Sequence, residues 1–180
     1  MRMKLTLALG LLVLAVLNVG VYRKELFLET AEEVYLELAP LDPRSLMQGD
    51  YVRLNYKVLE DLYREFDRIR RTRPPRENEL LESGKVVLRL DDRRVASFRG
   101  LWDGGPLAED ERILHYSFHY SGRGGRRVHV VSESFFFEEG QGEAYEEARY
   151  GVFKLGKDGR TILRALVDEN FVRIQPAAKK

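Results

Sequence analysis

The sequence predicts a mainly β (α+β) protein: an N-terminal transmembrane helix, then one barrel-like or curled antiparallel sheet domain with two short helices. Three observations predict it. The apolar run Leu5 to Tyr22 is long enough to cross a bilayer. After it, about eight short segments alternate apolar and polar residues between turn signals. Only brief stretches carry helical spacing.

The apolar run follows Arg2 and Lys4, and only Thr6 and Asn18 are clearly polar within it. A small-x-small cleavage pattern is missing at Ala15-Val16-Leu17 and at Val19-Gly20-Val21. That favours an uncleaved anchor over a signal peptide. Basic residues flank both ends; Arg2 and Lys4 orient the body outside the cytoplasm, on the periplasmic or extracellular side. Residues 1–24 read as the anchor, 25–33 as a charged stalk that can continue the helix, 34–175 as the β-rich domain and 176–180 as a tail.

Net charge is +1, but four bases and no acids lie in the first 24 residues, leaving 26 bases against 29 acids beyond. A mildly acidic body argues against nucleic acid as a partner. The chain has no cysteine, which excludes disulfides, thiol catalysis and thiolate-bound zinc.

In order, Val34, Leu36 and Leu38 alternate with Tyr35 and Glu37 as a first strand, ended by Pro40. Asp42 to Gly49 reads as a helical turn with Asp42 as N-cap and Pro43 at the first helical position. Gly49 supplies a positive-φ turn and Asp50 a backbone bond within it. From Tyr51 the pattern predicts a strand with Val52, Leu54, Tyr56 and Val58 on one face. Leu59 to Arg71 is an amphipathic helix through Leu59, Leu62, Tyr63, Phe66 and Ile69, stopped by Pro74-Pro75. The arginines at its end suit the helix macrodipole; a sharper reading is contact with anionic lipid heads or an acidic partner.

Gly84 to Leu90 and Val95 to Trp102 form a hairpin across Asp91-Asp92-Arg93-Arg94. Arg112 to Tyr120 alternates with Leu114, Tyr116 and Phe118 on one face and His115, Ser117 and His119 on the other. Arg127 to Val131 is a short strand and Glu143 to Arg149 a short helix. Tyr150 to Leu155 and Thr161 to Val167 pair across Gly156-Lys157-Asp158-Gly159.

Gly49-Asp50-Tyr51-x-x-Leu54-x-Tyr56 resembles, letter for letter, the pattern that names the GDYXXLXY protein family. Asp42-Pro43-Arg44 upstream, Phe136-Phe137-Glu138-Glu139-Gly140, and Tyr145-Glu146-x-Ala148-Arg149-Tyr150-Gly151 resemble further blocks of the same family, over roughly residues 33 to 167. The resemblance implies membrane-anchored bacterial proteins, often encoded beside or fused to multi-pass membrane proteins. It carries over no catalytic residues.

Candidate chemistry is weighed on the residues. His115 and His119 lie about 13 Å apart along a strand, too far for one ion, so no metal is expected. No cofactor loop is present; Gly122-Arg123-Gly124-Gly125 lacks the following helix with lysine and serine. Ser45 before a Gly-Asp and a strand has a likeness to signal-peptidase-type serine proteases. However, their Ser-Met-x-Pro core is absent, and neither Lys57 nor Lys85 sits in a base motif. Glu138, Glu139 and Asp50 are candidates for a glycosidase pair, with Trp102 the one aromatic platform. The expectation is therefore a non-enzymatic interaction module for a multi-pass membrane partner, with an envelope hydrolase as the alternative. The surface expected to carry it comprises Asp42, Arg44, Gly49, Asp50, Tyr51, Phe136, Phe137, Glu138, Glu139, Arg149 and Tyr150.

Overall fold

The computed structural model describes residues 2–39, 51–72, 83–121, 125–137 and 142–175. The chain divides into two compact units, 1–32 and 33–180. The first is helix α1 (Arg2–Thr30), closed at its end by the Ala31 amide bonding to the Phe27 carbonyl at 2.8 Å. Its apolar residues are not gathered on one face but run around the helix. From Leu9 to Tyr22 every described side chain is exposed. Among the described residues no helix is long and apolar enough to cross a membrane.

The second unit is built on β1 (Glu32–Glu37), β2 (Tyr51–Arg53), α2 (Lys57–Thr72), β3 (Ser83–Leu90), β4 (Val95–Leu101), β5 (Glu111–Ser121), β6 (Gly125–His129), β7 (Ser134–Phe136), β8 (Tyr150–Leu155) and β9 (Thr161–Val167). Seven strands form one sheet in the order β6-β5-β3-β4-β1-β8-β9, and β2 pairs with β7 in a separate ribbon. The sheet is mixed rather than antiparallel throughout, because β1 runs parallel to β4 with Tyr35 opposite Val95. Parallel neighbours need a crossover of a dozen or more residues, and the chain between β1 and β4, holding β2, α2 and β3, supplies one. Hairpins β3–β4 and β8–β9 pair as the turn chemistry predicts.

The sheet curls into a half-barrel around α2. Leu62 on α2 is fully buried, and Phe66 packs at 5.5 Å from the Tyr116 ring and 5.1 Å from Phe118. Burying a leucine of this kind contributes about 1.5–3 kcal/mol. The Tyr63 hydroxyl of the same helix accepts the Val128 amide at 2.9 Å, tying α2 to β6. Val34 and Leu36 of β1, Val86 and Leu88 of β3, Leu114 of β5 and Phe153 of β8 complete the core.

Several boundaries differ from expectation. The strand from Tyr51 stops at Arg53; Leu54 and Tyr56 are buried as predicted, but Val58 reaches the core from α2. The helix begins at Lys57 because the Tyr56 carbonyl already accepts the Leu59 and Glu60 amides. The expected helix at 143–149 is one 3-10 turn, Gly142–Tyr145, whose Tyr145 ring packs between Phe135 and Phe137 at 5.2 Å from each. β6 ends at His129, so Val130 and Val131 belong to the following loop, and β7 is a ninth strand that the alternation did not announce.

Tyr56 is the internal hub. Its ring is fully buried, meets Phe153 edge-on at 5.6 Å, and its hydroxyl donates to the Ser132 carbonyl at 2.9 Å. Burial, with the Glu133 carboxylate adding to it, pushes the phenol far above its ordinary value, so it stays a donor. Tyr56→Phe keeps the ring and strands the Ser132 carbonyl. The full chain is expected to lose about 1–2 kcal/mol in denaturant unfolding; an unchanged midpoint would show that the hydroxyl is dispensable.

Candidate functional site

The expected surface is only partly assembled. Asp42, Arg44, Gly49, Asp50, Glu138 and Glu139 lie outside the described residues, as does Ser45. Of Tyr51 the backbone alone is described; it pairs with Phe136 across the β2–β7 ribbon. Phe137 turns inward, stacked on Tyr145. Phe136 turns outward and is 74% exposed, so the alternation of a strand separates three successive phenylalanines as expected. Arg149 is exposed and donates to the carbonyls of Ala148 and Glu146 at 3.1 and 3.5 Å; among the described residues no carboxylate accepts from it. Tyr150 is drawn elsewhere: it stacks on Phe171 at 4.8 Å, beside Tyr35.

A second region was missed. β5 is paired on one side with β3 from Glu111 to Ser117, and on the other with β6 from Ser117 onward. Below that point the tip of the β8–β9 hairpin takes β6's place. The His115 amide bonds to the Gly159 carbonyl at 3.2 Å, and the His115 ring Nε2 lies 2.6 Å from the Asp158 carbonyl. A carbonyl only accepts, so this nitrogen carries the proton. At the fork between β6 and the hairpin tip lies an open cleft of about 480 Å³. Ser83, His115, Ser117, His129, Arg160 and Thr161 supply its polar walls, and Val130 and Val131 its apolar part.

The cleft follows from register. Ser83, Ser117 and His129 stand directly opposite one another across β3, β5 and β6, and His115 lies two residues from Ser117 on the same face. This is the face opposite Leu114 and Tyr116, which enter the core. Alternation predicted the shared face of His115 and Ser117; the pairing with His129 depends on where β6 stops, which the sequence does not state.

The hairpin tip closes only because residue 159 is glycine. Its φ is +86°, and an added Cβ would stand 2.6 Å from the His115 ring and 3.2 Å from the Ile113 carbonyl. Arg160 is tied back by its Nε to Asp158 at 2.5 Å.

Ser117, His129 and Glu133 stand in the order of a nucleophile, base and orienting acid, with His129 Nδ1 3.4 Å from Glu133 Oε1. Among the described residues the electrophilic half of that chemistry is not assembled. Ser117 is flanked by paired strands on both sides, so the neighbouring main-chain amides are spent in the ladder rather than aimed at an oxyanion. Trp102 offers no open platform, since the Lys85 ammonium lies 4.7 Å over its ring. Among the described residues no group of three or more His, Asp or Glu is placed to hold a metal ion.

Compared with known proteins, the chain matches the model of one family, described as GDYXXLXY protein, over residues 13–166. No curated protein and no solved structure matches it.

Two outcomes test the hairpin tip. Gly159→Ala is expected to cost at least about 1 kcal/mol in unfolding free energy, because the positive φ and the Ile113 carbonyl are both fixed. The second concerns acid. Burial alone would raise Asp158, but the Arg160 amide, guanidinium bond and charge pull it below its ordinary 3.8. A depressed carboxylate contributes stability in full above that ordinary value and loses it as pH falls through the folded value. Unfolding midpoints of Asp158→Asn should therefore fall less steeply than wild type below pH 3.8; parallel acid limbs would remove Asp158 from the account.

Proposed function

The chain belongs to the GDYXXLXY protein family, and on that footing we propose that it is a single-pass membrane-anchored protein. Its β-rich body stands outside the cytoplasm and acts as an interaction module, without chemistry of its own, for a multi-pass membrane partner. The observation that carries this reading is α1. A helix apolar on all sides suits a bilayer or a large core, not one face of a small domain. The described part of its exposed apolar stretch begins at Leu9, and the sequence run it belongs to begins at Leu5, giving 18 residues to Tyr22. It is the sequence run, not the described part of the helix alone, whose length matches a hydrocarbon core of about 30 Å.

The contact surface we assign to the partner is the β2–β7 ribbon with Phe136 at its centre. A large aromatic ring mostly exposed beside a short edge strand is the kind of group that anchors protein contacts. The hydrolase alternative is weaker, because the one described serine–histidine neighbourhood lacks an oxyanion site.

Membrane fractionation and affinity capture test both parts. Wild type is expected to resist carbonate extraction from membranes, and a chain lacking residues 2–24 to be released. Capture through a C-terminal tag should bring down a stoichiometric multi-pass protein with wild type, and lose it with Phe136→Ser, an exposed change that leaves the core intact. If the truncated chain stays in the membrane, the anchor is elsewhere. If nothing is captured with wild type, the partner reading fails.

A further inference from the structure

We infer that the cleft at the fork of β5 binds a small oxyanion group, a phosphate or a carboxylate, on the Arg160 guanidinium. The inference goes beyond the partner reading and does not depend on it, since β2, β7 and Phe136 take no part.

The lining carries the argument. Among the described residues no carboxylate side chain lines the cleft. Its basic members are a guanidinium and two imidazoles, and its other polar side chains carry hydroxyls. The acidic groups nearby are turned to specific partners: Glu133 towards His129 Nδ1 and Asp158 towards Arg160 Nε. Lys85, directly opposite His115 across β3 and β5, adds positive charge to the same sheet face. Arginine presents five donors in a planar fork that matches carboxylate and phosphate oxygens. Ser83 and Thr161 line the same cleft and offer hydroxyl donors for the remaining oxygens.

The Asp158–Arg160 pair shows what the ligand does. Asp158 already holds an oxygen on this guanidinium from two residues away. The pair is exposed, with 75% of the arginine and 49% of the aspartate side chain in water, and such pairs hold their geometry weakly. An incoming oxyanion takes the place of the Asp158 carboxylate and gains the Ser83 and Thr161 hydroxyls that Asp158 does not use. Asp158 acts as an internal stand-in for the ligand. The hairpin tip stays closed during the exchange, because the bonds holding it to β5 come from the main chain of Asp158 and Gly159, not from the Asp158 side chain.

Calorimetric titration of the full chain in detergent micelles tests this, with inorganic phosphate, acetate and a short-chain phosphatidic acid as separate probes. Saturable binding is expected for at least one. Binding of phosphate marks a soluble phosphate source, of acetate alone a carboxylate source, and of phosphatidic acid alone a lipid headgroup. Arg160→Gln is expected to weaken that binding about tenfold. Asp158→Asn keeps an acceptor for the Arg160 amide but removes the competing charge, and is expected to tighten binding about threefold. A misfolded variant cannot mimic that gain. Absence of binding by all three probes, or unchanged affinity in Arg160→Gln, or weakened affinity in Asp158→Asn, would overturn the inference.

Discussion

A buried tyrosine must find an acceptor, and the way Tyr56 does so fixes most of the second unit. Its hydroxyl takes the Ser132 carbonyl, and two residues earlier the Leu54 amide takes the adjacent Glu133 carbonyl at 2.7 Å. Two successive carbonyls of one loop are thereby stitched to two alternate residues of another. Above the ring Gly151 leaves room that no side chain could share: a Cβ there would come within 2.9 Å of Phe153 and 3.3 Å of Tyr56 itself. From the Tyr56 carbonyl α2 begins. The stitch has consequences on both sides of the 132–133 loop. Before it, residues 130–132 line the cleft; after it, residues 134–136 pair with β2. One core interaction thus positions both candidate surfaces.

Curvature supplies the rest. An open sheet leaves two edges, and here the edges β6 and β9 are brought round until the turn before β9 touches β5. Closure is incomplete because β6 already occupies half of the β5 edge. The ladder cannot accept a second strand there, and the space left at the fork is the cleft. Gly159 makes the remaining contact possible at a φ that a residue with a Cβ tolerates poorly. The cleft is therefore a product of topology, not of a sequence motif, which explains why its residues are scattered from Ser83 to Thr161.

The physics of what was legible follows the same division. Alternation found β1, β3, β4, β5, β8 and β9 within a residue or two, because each buries one face against a common core. Leu54 and Tyr56 were placed in that core correctly, yet as parts of a strand running to Val58. The early helix start was hidden because Val58 is apolar in either period. The ribbon strand β7 was invisible for a related reason: Phe135, Phe136 and Phe137 are all apolar, so their alternation between core and solvent leaves no trace in composition. The parallel pairing of β1 with β4 and the register of Ser117 with His129 are relations between distant segments, which local pattern does not encode. His115 was weighed against His119 on its own strand, whereas its meeting with His129 in one cleft depends on that register.

The distribution of charge then bears on the proposed binding role. Among the described residues no charged side chain is fully buried. Exposed ion pairs, such as Arg160–Asp158 or Arg89–Asp110, are screened by solvent and stabilise little, so the fold does not depend on them. Transition-state stabilisation needs dipoles held rigid and shielded from water, and it is this shielding that multiplies their effect. The cleft is open, its guanidinium is mostly in solvent, and the main-chain amides beside its serine are committed to strand pairing. Such a site exchanges ligands at small energetic cost but gains little at a transition state. A fold held by Tyr56, α2 and an apolar interior leaves its charges at the surface, where they can be lent to a ligand without loosening the core.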